Sequence, residues 1–195
     1  VAVAQAAADN LTETGVSEKK ITVIINGVEP VRRTGDVERA ELKRSLDIAD
    51  TTFVCGISAR LEPYKGHSYL IDTIKEVTLE YPDLVCLIIG GGSVEAELKE
   101  KAHKLGIWDK VRFTGFVEDV APYYNIMDLN LNCSWGTETS SLALSEGYSL
   151  GVPAVATTFG GNPYMVTDGV NGLLVPERNS HAMAEAILRI ANDPA

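Results

Sequence analysis

From residue 52 onward the chain alternates short apolar runs with amphipathic stretches, and this alternation constrains its fold more tightly than any other feature. TFVCGIS (52–58), DLVCLIIG (83–90), VRFTG (111–115), LNLN (129–132), PAVAT (153–157) and NGLLVP (171–176) read as strands. Between them, HSYLIDTIKEVTLEY (67–81) carries Leu70, Ile74, Val77 and Tyr81 at helical spacing. VEAELKEKAHKLG (94–106), EDVAPYYNIM (118–127), SLALSEGYSL (141–150) and SHAMAEAILRIAND (180–193) read as further helices, with Ser93 and Ser180 as caps. The near-continuous apolar run 83–90 suits a strand covered on both faces. Such alternation predicts an α/β, three-layer Rossmann-like domain with a mainly parallel, doubly wound sheet. Upstream, a helix-like opening (1–15), a β-like ITVII (21–25) and a helix over 36–46 capped by Asp36 are expected. No internal repeat or low-complexity linker interrupts residues 1–195, so one domain is expected.

Composition narrows the function classes. A net charge of −10 repels nucleic acid and anionic membrane surfaces, and no apolar run approaches the ~20 residues of a membrane-spanning helix. The three cysteines form neither a disulfide framework nor a zinc spacing, and Cys55 and Cys86 lie inside apolar runs. A reducing cytoplasm is the expected compartment.

In a doubly wound sheet ligands collect beyond the carboxyl ends of the strands, so the loops there carry the candidate chemistry. Glu138 and Glu146, in GTETSSLALSEGYSLGVPAVATTFGG, stand in a loop and about two turns into the helix that follows. At ~1.5 Å rise per residue they lie roughly 12 Å apart, beyond the roughly 5–9.5 Å of glycosidase carboxylate pairs. They therefore suit contact with different parts of one polyhydroxylated ligand better than hydrolysis. Ordinary exposed helix glutamates are the competing explanation. Arg60 and Lys65, in the loop ARLEPYKG, are the only cations between Arg44 and Lys75, and no Lys or Arg occurs from Phe113 to Glu177. An anionic ligand at the glutamate loop would need its countercharge from Arg60 and Lys65, unless these are simply solvated surface cations. Backbone amides near Thr139, Ser140 and Ser141 would add to it.

Gly91, in GGGS, permits close backbone approach, but Glu95 stands where a dinucleotide fingerprint requires its third glycine. Thr114-Gly115-Phe116-Val117, short and apolar with free main-chain polar groups, offers a seat for a base, and Phe159-Gly160-Gly161-Asn162 can bring amides near a sugar; plain turns explain these loops equally well. His67, His103 and His181 read as non-catalytic, and no phosphate-binding P-loop, zinc-binding or Ser/His/Asp pattern is present. No metal site is expected.

Taken in order, ITVIINGVEP, ISARLEPYKG, LVCLIIGGG, VRFTGFVEDV, ETSSLALSEGYSLGVPAVATTFGGNP and DGVNGLLVP resemble the retaining, nucleotide-sugar-dependent glycosyltransferases of group 1, the glycogen synthase and sucrose synthase type with GT-B architecture. The resemblance covers nearly the whole chain, and it matches the C-terminal, donor-binding domain only. It implies that Arg60 and Lys65 hold the donor diphosphate, Glu138 contacts sugar hydroxyls, and Glu146 binds the ribose. It also implies a base near Phe116 and Val117, with sugar and phosphates against Thr139, Ser140 and Ser141. Transfer would need no metal or other cofactor beyond a UDP-, GDP- or ADP-sugar donor substrate. The acceptor, a glycan, lipid or small molecule, would belong to an N-terminal domain absent from this chain, leaving a fragment that binds nucleotide without transferring. Tyr164 departs from the family's usual Glu after the GGxP segment. A nucleotide-sugar epimerase of the same architecture and a non-catalytic Rossmann-like ligand-binding module are the alternatives.

Overall fold

The computed structural model describes residues 1–193. Its core is one six-stranded sheet, β1 (Phe53–Ser58), β2 (Leu84–Ile89), β3 (Val111–Gly115), β4 (Leu129–Asn132), β5 (Ala154–Thr157) and β6 (Gly172–Val175), in the order β3-β2-β1-β4-β5-β6. Every pairing is parallel, with Phe53 opposite Leu84 and Cys55 opposite both Cys86 and Leu129. The order reverses between β1 and β4, which places the topological switch point there.

The helices are α1 (Gln5–Glu13), α2 (Asp36–Ser45), α3 (His67–Glu80), α4 (Glu95–Lys104), α5 (Ala121–Tyr124), α6 (Leu142–Leu150), α7 (Asn162–Met165) and α8 (Ser180–Asn192). One face of the sheet is covered by α3, α4 and α8 around a core that includes Cys55, Ile57, Leu70, Ile71, Ile88 and Ile187. The opposite face carries α2, α5 and α6, with Val54, Leu87, Tyr124 and Met127 packed between. Burial on both faces explains why β2 is LVCLII without alternation: all six of its residues are buried. Among the described residues no helix is long and apolar enough to cross a membrane.

Several local expectations are corrected. ITVII forms no strand; it makes an isolated bridge between Val23 and Ala2, with Ile24 and Ile25 exposed, because no partner in the sheet pairs its backbone. The helix expected over 118–127 shortens to the four residues of α5, as Asn125 turns its amide onto Ala121 and Arg32 carbonyls at 2.8 Å each. Asp36 is the first helical residue after Gly35, not the cap. Ser180 yields the cap of α8 to Asn179, whose Oδ1 accepts the Ala182 N–H at 3.0 Å. Ser93 does not cap α4; its hydroxyl donates to Glu62 at 2.8 Å.

Candidate functional site

The loops leaving β1 and β4 diverge at the switch point and open a cleft of about 240 Å³. Ser58 comes from the end of β1 and Arg60 from the loop after it, Lys65 from the turn before α3, Asn132 from the end of β4, and Ser134 and Glu138 from the loop leading to α6. The turn is held where it is by Gly66. This residue adopts φ +78°, and a β-carbon on it would lie 1.9 Å from the Cys133 carbonyl oxygen, so only glycine lets Lys65 approach β4.

Lys65 Nζ meets Glu138 Oε2 at 3.0 Å and also donates to the Thr137 carbonyl at 3.3 Å. The two side chains are 16% and 8% exposed, so this is a largely desolvated ion pair, unlike the surface pairs elsewhere. Two neutral donors complete the set on the same oxygen: Asn132 Nδ2 at 3.2 Å and Ser134 Oγ at 3.0 Å. The carboxylate is thus oriented by three donors on Oε2. Its loop is clamped from the other side, where Gly161 N–H donates to the Glu138 carbonyl at 2.9 Å. Gly160, at φ +60°, packs so closely that a β-carbon would sit 1.9 Å from that same carbonyl oxygen. Arg60, exposed at the rim, donates to the Tyr64 hydroxyl at 3.0 Å.

Asn130 and Asn132 carry no role in the sequence reading, yet they tie helix to sheet. Asn132 Nδ2 reaches Ser141 Oγ at 3.1 Å, and Ser141 in turn caps α6 by accepting the Leu144 N–H at 3.3 Å. Asn130 Nδ2 donates to the Ala143 carbonyl at 2.8 Å. The signal was the LNLN pattern itself, since a strand buried on both faces has no solvent for alternate asparagines, and each must find a partner. The first turn of α6, at Leu142 and Ala143, consequently faces the cleft, with its positive dipole end toward whatever the cations bind.

Of the sequence-predicted residues, Arg60, Lys65, Glu138, Ser140 and Ser141 line this cleft. Thr139 is exposed beside it, and Gly91 is not among its lining residues; its carbonyl accepts the Leu61 N–H at 3.0 Å. Phe116 projects into solvent, 84% exposed, while Val117 packs against the core under α5. Glu146 lies a turn further along α6, half-buried. Burial pushes its carboxyl above the ordinary carboxylate range, and the hydroxyl of buried Tyr124 partly opposes that. Tyr124 Oη itself donates to the Ala143 carbonyl at 3.1 Å. Tyr164, exposed on α7, donates to Asp9 of α1 at 2.7 Å. His103 stacks on Trp108 at 4.1 Å, and His181 faces Glu76 on α3.

A larger hollow, about 480 Å³, opens at the amino ends of the strands between Phe53, Asp128, Pro153, Leu173 and Arg189. It has no pairing of cations with a buried carboxylate, and it lies at the end of a parallel sheet away from the switch point. The smaller cleft is therefore the candidate site.

Comparison with known proteins agrees with this geometry. Anabaena HepE crystallised with UDP superposes with a TM-score of 0.91 at 28% identity, over 99% of this chain and 54% of that one. HepE has also been crystallised with UDP-glucose. A D-inositol 3-phosphate glycosyltransferase of Actinosynnema mirum is 34% identical over 96% of this chain and 47% of its own length. A GDP-mannose-dependent alpha-(1-6)-phosphatidylinositol monomannoside mannosyltransferase of Mycobacterium tuberculosis is 27% identical over 86% of this chain and 46% of its own. The chain spans about half the length of the curated relatives it matches. The family model for glycosyl transferases group 1 matches residues 38–195, and with a GT-B-type parallel sheet and named glycosyltransferases as relatives, the chain belongs to that family.

Proposed function

We propose that the cleft at the switch point binds a nucleoside-diphosphate sugar and that the chain is the donor-binding domain of a retaining, metal-independent glycosyltransferase. The observation that carries this reading is the convergence of Lys65 and Arg60 with a buried, triply hydrogen-bonded Glu138 beside the first turn of α6. Lys65 and Arg60 neutralise the diphosphate, and the α6 amino end adds its dipole as the leaving group gains charge. Glu138 has Oε1 available for sugar hydroxyls while Oε2 stays anchored. Glu146, half-buried, accepts the ribose hydroxyls. Phe116 and Val117 flank the base, Gly91 lets the donor approach the backbone, and Thr139, Ser140 and Ser141 contact sugar and phosphates. HepE, with its bound UDP and UDP-glucose, supports this donor class.

Acceptor choice belongs, on this reading, to an amino-terminal domain, so the 195-residue chain binds donor without transferring. The acceptors named for the two relatives, an inositol phosphate and a phosphatidylinositol mannoside, differ in kind, consistent with selection outside the donor site. Three buried free thiols, Cys55, Cys86 and Cys133, fit a reducing cytoplasm. Calorimetric titration with UDP, GDP, ADP and their sugars tests the proposal. Saturable binding of at least one family of ligands is expected, and the absence of heat and of thermal shift with all of them overturns it. Lys65→Ala separates this reading from a regulatory module, for which nucleotide binding would be unchanged.

A further inference from the structure

Behind the turn that presents Lys65 lies a second hollow, of about 370 Å³, enclosed by that turn, the start of α3 and one side of α4. It shares no lining residue with the donor cleft. His67 is built into its wall. The ring is 1% exposed, yet neither Nδ1 nor Nε2 has a hydrogen-bond partner, although buried polar groups are almost always paired.

The surrounding chemistry restricts what could pair with it. Burial, with Lys65 nearby, depresses the His67 pKa to about 4, so at neutral pH the ring offers one N–H donor and one acceptor nitrogen. A hydroxyl both donates and accepts, and so matches either ring nitrogen, whereas a carboxylate only accepts and an ammonium only donates. Glu62 and Glu97 on the same wall repel anions. The one cation there, Lys101, is already committed to Asp72 at 2.6 Å and to the Ser68 carbonyl and hydroxyl at 2.8 and 2.9 Å. Pro63, Val94 and Leu98 give an apolar surface for C–H groups. Trp135 closes one side, with its indole N–H fixed on the Pro63 carbonyl at 3.0 Å and Arg178 stacked 3.8 Å from its ring.

We propose that this hollow is a second binding site, outside the donor cleft, for a neutral polyhydroxylated ligand, a saccharide or cyclic polyol, whose hydroxyl pairs with the buried His67 ring. Glu62 and Glu97 accept further hydroxyls, and the apolar wall takes the sugar's C–H face. The site stands independently of the donor reading, since no residue is shared. It touches that reading at one point: Lys65 and His67 are two residues apart on the same turn, and the Trp135 main-chain N–H donates to the Tyr64 carbonyl at 2.9 Å. A ligand here would stiffen the segment that positions Lys65.

The test follows the ring ¹⁵N and ¹H resonances of His67, assigned with His67→Gln, as glucose, maltose and myo-inositol are titrated into the chain with UDP present. A saturable shift with at least one of them is expected, and none with inorganic phosphate. Ser68→Trp, at an exposed position on the rim of the hollow, is expected to weaken the sugar by at least roughly tenfold while leaving UDP affinity unchanged. An unmoved His67 with all three neutral ligands, a response to phosphate, or a saturable shift that Ser68→Trp does not weaken overturns the proposal. Failure of UDP to bind would count against the donor cleft alone, because the His67 titration reads out without it.

Discussion

The Lys65–Glu138 pair separates folding from binding, because both groups stabilise the fold while, under the donor reading, they act oppositely on a nucleotide. At 3.0 Å and with 16% and 8% side-chain exposure, the pair is sheltered enough that removing one partner leaves a poorly solvated charge. Lys65→Met strips Glu138 of its cation but leaves Asn132 and Ser134 donating to Oε2, so the loss falls below the 3–5 kcal/mol of a fully stranded charge, at about 2–3 kcal/mol. For a chain of this size that is roughly 5–10 °C in Tm. Glu138→Gln keeps the shape, leaving Lys65 with the Thr137 carbonyl at 3.3 Å, and costs about 1–2 kcal/mol. The double variant should be little worse than Lys65→Met, giving a coupling of about 1–2 kcal/mol. Denaturant melts of the four proteins measure this. Binding should then split the two residues: Lys65→Met weakens UDP by roughly tenfold or more, whereas Glu138→Gln releases Lys65 for phosphate and leaves UDP no weaker. A coupling under about 0.5 kcal/mol would refute the pair as a buried unit. Equal loss of UDP binding in both single variants would refute the division of roles.

Acid titration should reveal His67: its ordinary pKa of 6.5 falls to about 4 in the fold, so the unfolded chain takes up a proton first. The stability this confers is complete above 6.5 and is lost as pH falls toward 4, roughly 3 kcal/mol in the limit, and His67→Gln should flatten that slope in urea melts. Because burial raises the Glu146 pKa, nucleotide affinity measured by calorimetry should begin to fall at a pH above the ordinary carboxylate range as the carboxyl protonates. Tyr124→Phe removes the opposing hydroxyl and should move that fall to higher pH. Gly66→Ala, with its β-carbon driven to 1.9 Å from the Cys133 carbonyl oxygen at φ +78°, should lower stability by about 2 kcal/mol or more in thermal melts.

The sheet was legible because its strands carry their own evidence: LVCLII has no polar face to give to solvent, and the helices between repeat at the right spacing. ITVII carries the same propensity and still forms no strand, since strand formation needs a partner edge and, among the described residues, it has only an isolated bridge to Ala2. The caps at Asp36, Ser93 and Ser180 failed for separate reasons: Asp36 lies inside its helix and pairs with Arg39, while Asn179 takes the Ala182 N–H in place of Ser180. Ser93 was taken by Glu62, a carboxylate 31 positions away. The same limit governs the site. Arg60, Lys65 and Glu138 could be named from their loops, but Lys65 and Glu138 are 73 positions apart, and nothing local announces that they touch. Asn130 and Asn132 were readable in principle, as polar residues in a strand with no wet face. Their consequence, the tethering of α6 over the cleft, depends on which helix lies above them.

Charge scarcity gives this contact its meaning. No Lys or Arg occurs between Phe113 and Glu177 in a chain of net charge −10, so a diphosphate at the cleft must draw chiefly on Arg60 and Lys65. Lys65 is already neutralised by Glu138. A bare nucleoside diphosphate that pulls Lys65 onto its phosphates leaves the Glu138 carboxylate with Asn132 and Ser134 alone, and the gain at phosphate is offset by the loss at the carboxylate. A nucleotide sugar changes that balance, because hydroxyls arriving at Glu138 replace the donor it surrenders. On the donor reading the buried pair therefore makes sugar and diphosphate recognition cooperative: each half of the ligand supplies the partner that the other half removes.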